Sequence, residues 1–252
     1  MQRYFIDEET VTLNANYQMD KEASHHMLTV MRMQTGDKIY VVTKSQQVFI
    51  GELIDNQNKI ATIQFVEGLA ENKELDTPVT LFVGLPKNDK LEWIVQKATE
   101  LGASQIVPVA MRYSVTKWDQ KKAGKKIERL QKIAQEAAEQ AHRTLVPSVG
   151  NLVTSKEMAG MVQHFDQVCV AYEEVAKQGE KHRLVQVFEH LESGQQLAFV
   201  TGPEGGFHPD EITLLQENHD NVAICGLGPR ILRAETAPMY MLSALSYARE
   251  LL

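Results

Sequence analysis

Residues 227–237 read Leu-Gly-Pro-Arg-Ile-Leu-Arg-Ala-Glu-Thr-Ala. Arg230 and Arg233 stand three apart, and Glu235 follows just before a helical pattern. An apolar run, 222–225, leads into this stretch, and an Ala/Leu/Met-rich pattern of helical period, 236–251, leaves it. The Gly-Leu-Gly-Pro turn cannot continue a strand ladder, so it presents bare backbone at a sheet edge. Unpaired backbone groups, fixed positive charge and a helix N-terminus therefore meet at one point.

The same logic recurs about twenty-five residues earlier in the chain. Residues 197–201 read as a strand, Gly202-Pro203-Glu204-Gly205-Gly206 follows, and His208-Pro209-Asp210-Glu211 opens a helix. Proline suits the first helical turn, and the acids lie where the helix dipole favours negative charge. Two glycine-rich turns that end neighbouring strands of one parallel sheet build a crevice at the carboxyl ends of the strands, where open α/β sheets bind ligands. Neither loop matches Gly-x-x-x-x-Gly-Lys-Ser/Thr or Gly-x-Gly-x-x-Gly before a helix, so the common nucleotide fingerprints are excluded.

The elements that must position these loops follow from pattern. Residues 1–70 read as a small β-rich domain, with strand-like runs at 37–43, 48–54 and 59–67 and a hairpin turn at 55–58. One helix, 21–31, interrupts them, which gives a small barrel with one helix. His25 and His26 are adjacent and cannot face one point on a helix, so no metal pair is expected. Residues 68–77, polar and followed by Pro78, form the linker, and the domain boundary is expected between 72 and 73. From Val79 the pattern becomes strand-helix alternation, with strands at 79–83, 106–109, 168–171, 197–200 and 222–225. Helical faces run from Leu91 to Leu101 and from Ile127 to Ala141. The expected class is α/β with a parallel sheet.

Of 252 residues, 43% are hydrophobic, enough for one or two globular domains. No apolar run approaches the ~20 residues needed to span a bilayer, and residues 1–9 carry no secretory pattern. A cytoplasmic protein with no membrane partner is expected. Cys169 and Cys225 lie in apolar strand patterns without metal spacing and read as buried, reduced thiols. The net charge of −7 argues against a generic nucleic-acid binder. Yet residues 112–132 hold eight Lys/Arg against two acids, Asp119 and Glu128. That segment reads either as a solvated helix face or as a patch that steers a polyanion to one side of the molecule.

The paired motifs, GPEGG followed by LGPRILRAETA, resemble the RsmE family of SPOUT RNA methyltransferases. The resemblance runs the whole length: Arg3-Tyr4-Phe5, His25-His26 through Arg32, Gly36-Asp37, Glu92 through Gly102, Glu136-Ala-Ala-Glu-Gln140, Arg143 and Pro147. It implies transfer of a methyl group from S-adenosylmethionine to N3 of a uridine in 16S ribosomal RNA of the small subunit. It also implies a PUA-like barrel (1–72) that helps hold RNA and a methyltransferase domain (73–252) with a trefoil knot built from the two glycine loops. A homodimer, with Met239, Leu242, Leu245 and Ala248 on the last helix at its interface or against its own sheet, is carried over in the same way. Two rivals stay open: a SPOUT enzyme acting on tRNA or another base, and a non-catalytic RNA-binding assembly factor. Ala234 stands where the family usually has Thr, His142 where a small residue is usual, and His208 where Ser often caps the helix.

The residues suit that chemistry. Gly202, Gly205 and Gly228 let backbone groups approach an adenine, with Thr201 and Pro203 beside them. Leu227, Ile231 and Leu232 offer apolar walls. Uracil N3 carries a proton at neutral pH, so the site needs a proton acceptor or cations that stabilise the uracil anion. Arg233 or Arg230 fits the second role, with Arg233 nearest the base, and Glu204 or Glu235 fits the first. Glu235 equally suits bonding to helix N-terminal amides. The expected RNA contacts are Arg3, His25, Arg32, Arg112, Lys117, Lys121, Lys122 and Lys125. Arg112 equally suits a local ion pair.

Overall fold

The computed structural model describes residues 1–217 and 220–252, the side chains of 120–122 excepted. Its contacts separate two compact units, Met1–Glu74 with Ala138–Leu145, and Leu75–Ala137 with Val146–Leu252.

The first unit contains β1 (Arg3–Phe5), β2 (Asn16–Gln18), α1 (Lys21–His25), β3 (Lys38–Val42), β4 (Val48–Asp55) and β5 (Thr62–Leu69). Asp20 caps α1 by accepting from the Ala23 N–H at 2.7 Å, and the helix widens into π turns over His26–Val30. The sheet runs β1-β3-β4-β5-β2, with β1 parallel to β3 and the other pairs antiparallel. The strand read from 59 starts at Thr62, because Gln57–Lys59 forms a 3-10 turn with Asn58 and Lys59 at positive φ. The period-two reading of β5 holds: Ile63 and Phe65 are buried with Ile39, Val41, Leu53 and Met27.

Arg3 belongs to the framework of this unit. It is 1% exposed, donates to the Arg143 carbonyl at 2.9 Å and to Glu71 at 3.0 Å, and lies over the Tyr40 ring. Burial of a guanidinium requires such partners. Arg143 in turn pairs with the Glu74 carboxylate, which also accepts from the Thr144 and Leu145 N–H groups. His142, in the left-handed region (φ 56°), sets its ring edge-on to Tyr40 at 5.7 Å between centroids.

The second unit contains β6 (Val79–Gly84), α2 (Lys90–Glu100), β7 (Gln105–Ala110), α3 (Gln120–Gln140, whose last turn belongs to the first unit), β8 (Ser148–Val149), β9 (Val153–Thr154) and α4 (Ser155–Val162). It continues through β10 (Gln167–Ala171), α5 (Glu173–Lys177), α6 (Arg183–His190), β11 (Leu197–Thr201), α7 (Pro209–Gln216), β12 (Val222–Cys225) and α8 (Thr236–Ser246). The sheet order is β12-β10-β11-β6-β7-β8, with β9 also on β7, and every pairing is parallel. Both faces are covered: Leu81, Ile94, Phe199 and Leu242 share one core, and Phe82, Val109, Val200 and Leu215 the other. This is why β6 and β11 read as continuous apolar runs rather than alternating ones. Cys169 and Cys225 are both free thiols, buried in the sheet.

The two glycine loops do not leave adjacent strands, since β10 lies between β11 and β12. The carboxyl end of β10 therefore lies between them and supplies part of the site.

Candidate active site

The first loop begins where Thr201 ends β11. Thr201 is fully buried, and its hydroxyl donates to the Phe82 carbonyl at 3.5 Å inside the sheet. It is not among the residues that line the cavity described below. Pro203 packs so closely on Gly84, at the end of β6, that a Cβ there would come within 2.6 Å of the Pro203 nitrogen. Gly205 backs onto Tyr113, whose Cβ would be 2.7 Å from any added methyl, and Gly206 takes φ +71°. His208 then caps α7: its Nδ1 accepts from the Asp210 N–H at 3.2 Å, and Glu211 reaches back to the His208 N–H at 2.9 Å. Histidine thus does the work expected of serine here.

The second loop is tied at its base by Glu180. Its carboxylate accepts from the Gly226 N–H at 2.6 Å and from the His182 and Arg183 N–H groups. A Cβ on Gly226 would meet the Glu180 carbonyl oxygen at 2.4 Å, so only glycine fits. Gly228 takes φ +88°, open to the left-handed region that glycine enters freely. The Arg233 carbonyl accepts from the Thr236 and Ala237 N–H groups at 2.9 and 3.1 Å and starts α8.

Between the loops lies a cavity of about 730 Å³, a size that holds a nucleoside-like ligand. Gly202, Pro203, Glu204 and Gly205 line it from one side, and Leu227, Gly228, Arg230, Ile231, Leu232 and Arg233 from the other. Arg230 and Arg233 are exposed at its surface, and Ile231 is 77% exposed, so this isoleucine forms a rim rather than a closed wall. Ala171, Tyr172 and residues of α5 add a further part of the lining, as do Tyr113 and Phe207. Sequence reasoning missed this part because it follows a strand without any glycine signal.

Lys90, the first residue of α2, was also missed. Its Nζ lies 2.9 Å from Glu204 Oε1 and 2.9 Å from Glu235 Oε2, so one ammonium joins a carboxylate from each loop. Glu204 also accepts from the Lys87 N–H at 3.1 Å. Burial alone would raise both carboxyls, but the Lys90 bond and backbone N–H groups outweigh it and leave both below the ordinary glutamate value. The bonds from Glu235 and Glu204 push Lys90 up in turn. Glu235 makes no side-chain bond to the α8 amides, so the capping role is replaced by the ion pair. The only available signal was a lysine two residues before the Glu92 helix motif.

The expected RNA-contacting residues scatter. In the first unit, His25 and Arg32 are exposed, whereas His26 packs inward with Nδ1 2.8 Å from the Tyr4 hydroxyl. Arg3 is buried, as described, and presents no surface to a polyanion. In the second unit, Lys117 and Lys125 are exposed. Arg112 pairs with Asp210 at 3.0 Å, and its own N–H donates to Glu211. The side chains of Lys121 and Lys122 lie outside the described residues.

Comparison with known proteins identifies the arrangement. A family model described as an RNA methyltransferase domain matches residues 73–246, and one described as an RNA methyltransferase PUA domain matches 20–66. The ribosomal RNA small subunit methyltransferase E of Bacillus subtilis is 44% identical over 254 residues, covering 100% of this chain and 98% of that protein. The chain belongs to the small-subunit ribosomal RNA methyltransferase E family. The Synechocystis methyltransferase E is 32% identical, over 96% of this chain and 74% of that protein. A Legionella pneumophila protein solved with bound S-adenosylmethionine is 25% identical with a TM-score of 0.81, covering 98% and 97% of the two chains. Within this family the cavity between the two loops is the place to test for the cofactor. Ala234 lines it without a hydroxyl, and Lys90 and Glu204 line it as well.

Proposed function

We propose that this protein transfers a methyl group from S-adenosylmethionine to N3 of a uridine in 16S ribosomal RNA. The observation that carries this reading is the convergence of both glycine-rich loops on one cavity, with Arg230 and Arg233 at its mouth. The cofactor fits what is there. Gly202, Gly205 and Gly228 leave main-chain groups accessible to an adenine, and Leu227 and Leu232 offer apolar surface. When bound, S-adenosylmethionine supplies an electrophilic methyl group on its sulfonium.

The chain's own task is to make N3 a nucleophile. Glu204 and Glu235 are held by Lys90 and lie below the ordinary carboxylate value, which makes them weak proton acceptors. Glu204 therefore braces the first loop and is not the base. Arg233, with Arg230 beside it, stabilises the uracil anion on O2 and O4, and the N3 proton passes to water at the open mouth. The rate then rises with pH across the neutral range, following ionisation of the nucleobase.

Exposed His25 and Arg32 on the PUA domain, and Lys117, Lys125 and the side of α3 on the catalytic domain, suit phosphate contacts that position RNA. A division at residues 72/73, a barrel closure of the first sheet, and a knot formed by the two loops fit this reading. So do a cytoplasmic location and a homodimer. Support for the dimer is the exposed stripe of α8 and its extension, with Tyr240, Tyr247 and Leu251 at helical spacing. The test is mass mapping of 16S RNA from a deletion strain, together with calorimetry of S-adenosylmethionine binding. Loss of one N3-methyluridine, restored by the wild-type gene, is expected. An unchanged modification map would overturn the substrate assignment.

A further inference from the structure

A second cavity, of about 270 Å³, lies beside the first. Leu85, Leu91 and Leu130, all buried, form its floor, and half-buried Trp118 forms a wall. The Lys126 ammonium stands 5.1 Å from the Trp118 ring centroid, and Arg129 pairs with Glu92 at 2.8 Å along the rim. Asn88 and Asp89 supply the remaining polar edge. Asp89 occupies the N-cap position of α2, yet its carboxylate makes no capping bond. Two loop segments wall both cavities. On one, Lys90 faces the first cavity while Asn88 and Asp89 face the second; on the other, Tyr113 lines the first and Trp118 the second.

We propose that this second cavity takes an unpaired nucleobase of the RNA strand that carries the target uridine. This rests on the methyltransferase reading above. An aromatic wall over an apolar floor is how proteins hold single-stranded bases, and the volume suits one base. The charge fits as well. The Lys126 ammonium lies over the Trp118 ring and must swing off it toward a phosphate as a base stacks there, exposed Lys125 is its neighbour, and Glu92 is already paired with Arg129. Asp89 would repel phosphate but accepts well from an exocyclic amine, so a base bearing that group, such as cytosine, is selected. An RNA strand with its uridine in the first cavity reaches the second across the ridge formed by the two shared loops.

The test uses the full chain in a Trp93→Phe background, which leaves Trp118 as the one remaining tryptophan of two. Titration with a single-stranded 16S-derived oligonucleotide should quench its fluorescence saturably, and more strongly for a cytosine-containing than for an all-uridine oligomer. Trp118→Leu should raise KM for the RNA substrate by about 5- to 100-fold. The kcat at saturating RNA and the S-adenosylmethionine affinity should stay within about twofold, and Trp118→Phe should restore most of the KM. An unchanged KM, or equal loss of cofactor affinity, overturns the proposal. If Trp118→Leu fails to fold, Asp89→Asn, which leaves the backbone between Lys87 and Lys90 undisturbed, decides by the same split. Quenching by RNA in a protein that methylates nothing would reject the methyltransferase reading alone.

Discussion

The turn after β11 is packed from behind at almost every residue: Pro203 on Gly84, Gly205 on Tyr113, and His208 and Glu211 locking the start of α7. The turn after β12 is tied at its base, by Glu180 on Gly226 and by Leu227 against the core, and at its far end, by Lys90 on Glu235 and by the Arg233 carbonyl at the start of α8. Between those two points Gly228 has open space around it, and Arg230, Ile231 and Arg233 stand exposed. One half of the site is thus a rigid wall and the other a span fixed at both ends. In the proposed function a ligand docks against the first, and the second carries the charges that meet a changing substrate. Preorganised positive charge needs a fixed frame, but the charged tips need access.

The largest break in this contrast is expected at the base of the span. Gly226→Val drives a side chain into the Glu180 carbonyl, 2.4 Å from where its Cβ would sit. Calorimetry should find no measurable S-adenosylmethionine binding, and retained affinity would show that the span tolerates release. Gly205→Val, which pushes only on Tyr113, should weaken binding less than Gly226→Val in the same assay. If it weakens binding more, the wall rather than the span is the critical half.

Arg233→Ala comes next. It should lower kcat by about 10²- to 10³-fold, as for loss of one charge-stabilising group, with cofactor affinity nearly intact. Single-turnover rates at wild-type level would exclude Arg233 from the chemistry.

Lys90→Met removes the clasp between wall and span. Cofactor affinity should fall several-fold, and Lys90→Arg should recover part of it, because either cation can pair with both carboxylates. The clasp also has a pH signature. Glu204 and Glu235 are depressed below the ordinary value of 4.5, so their pairing with Lys90 stabilises the fold above that value and is lost as pH falls through the lowered values. Thermal melts should therefore decline more steeply below about pH 4.5 in wild type than in Lys90→Met. Parallel profiles would mean the pairs contribute little.

The smallest effect is expected at Arg112→Ala. Its ion pair with Asp210 is exposed, so melting and cofactor binding should change little, and only RNA affinity reports on it. An RNA KM identical to wild type would confine Arg112 to that local pair.

Much of this molecule was legible in its residues. The strand-helix alternation after Val79 announced an α/β unit with a parallel sheet, because parallel strands need helical crossovers between them. The two glycine turns announced breaks in the ladder at the sheet edge, because local composition alone forbids pairing there, and both turns line one cavity. The two-residue strands β8 and β9 were invisible, since two residues carry no period. Arg3 looked like an RNA contact because charge suggests surface; Glu71, Tyr40 and the Arg143 carbonyl, distant in sequence, decided otherwise.

The sequence by itself determined the five main strands of the parallel sheet and the long helices beside them, where the chain must turn after two of those strands, and which residue types crowd those turns. These are local matters of period, backbone freedom and capping. Only the tertiary structure decided that β10 separates the two loop-bearing strands, that Lys90 joins Glu204 to Glu235, and that Thr201 faces the sheet. Each depends on which strands lie side by side, and that order follows from burying both faces of one sheet at once, a condition no single segment contains.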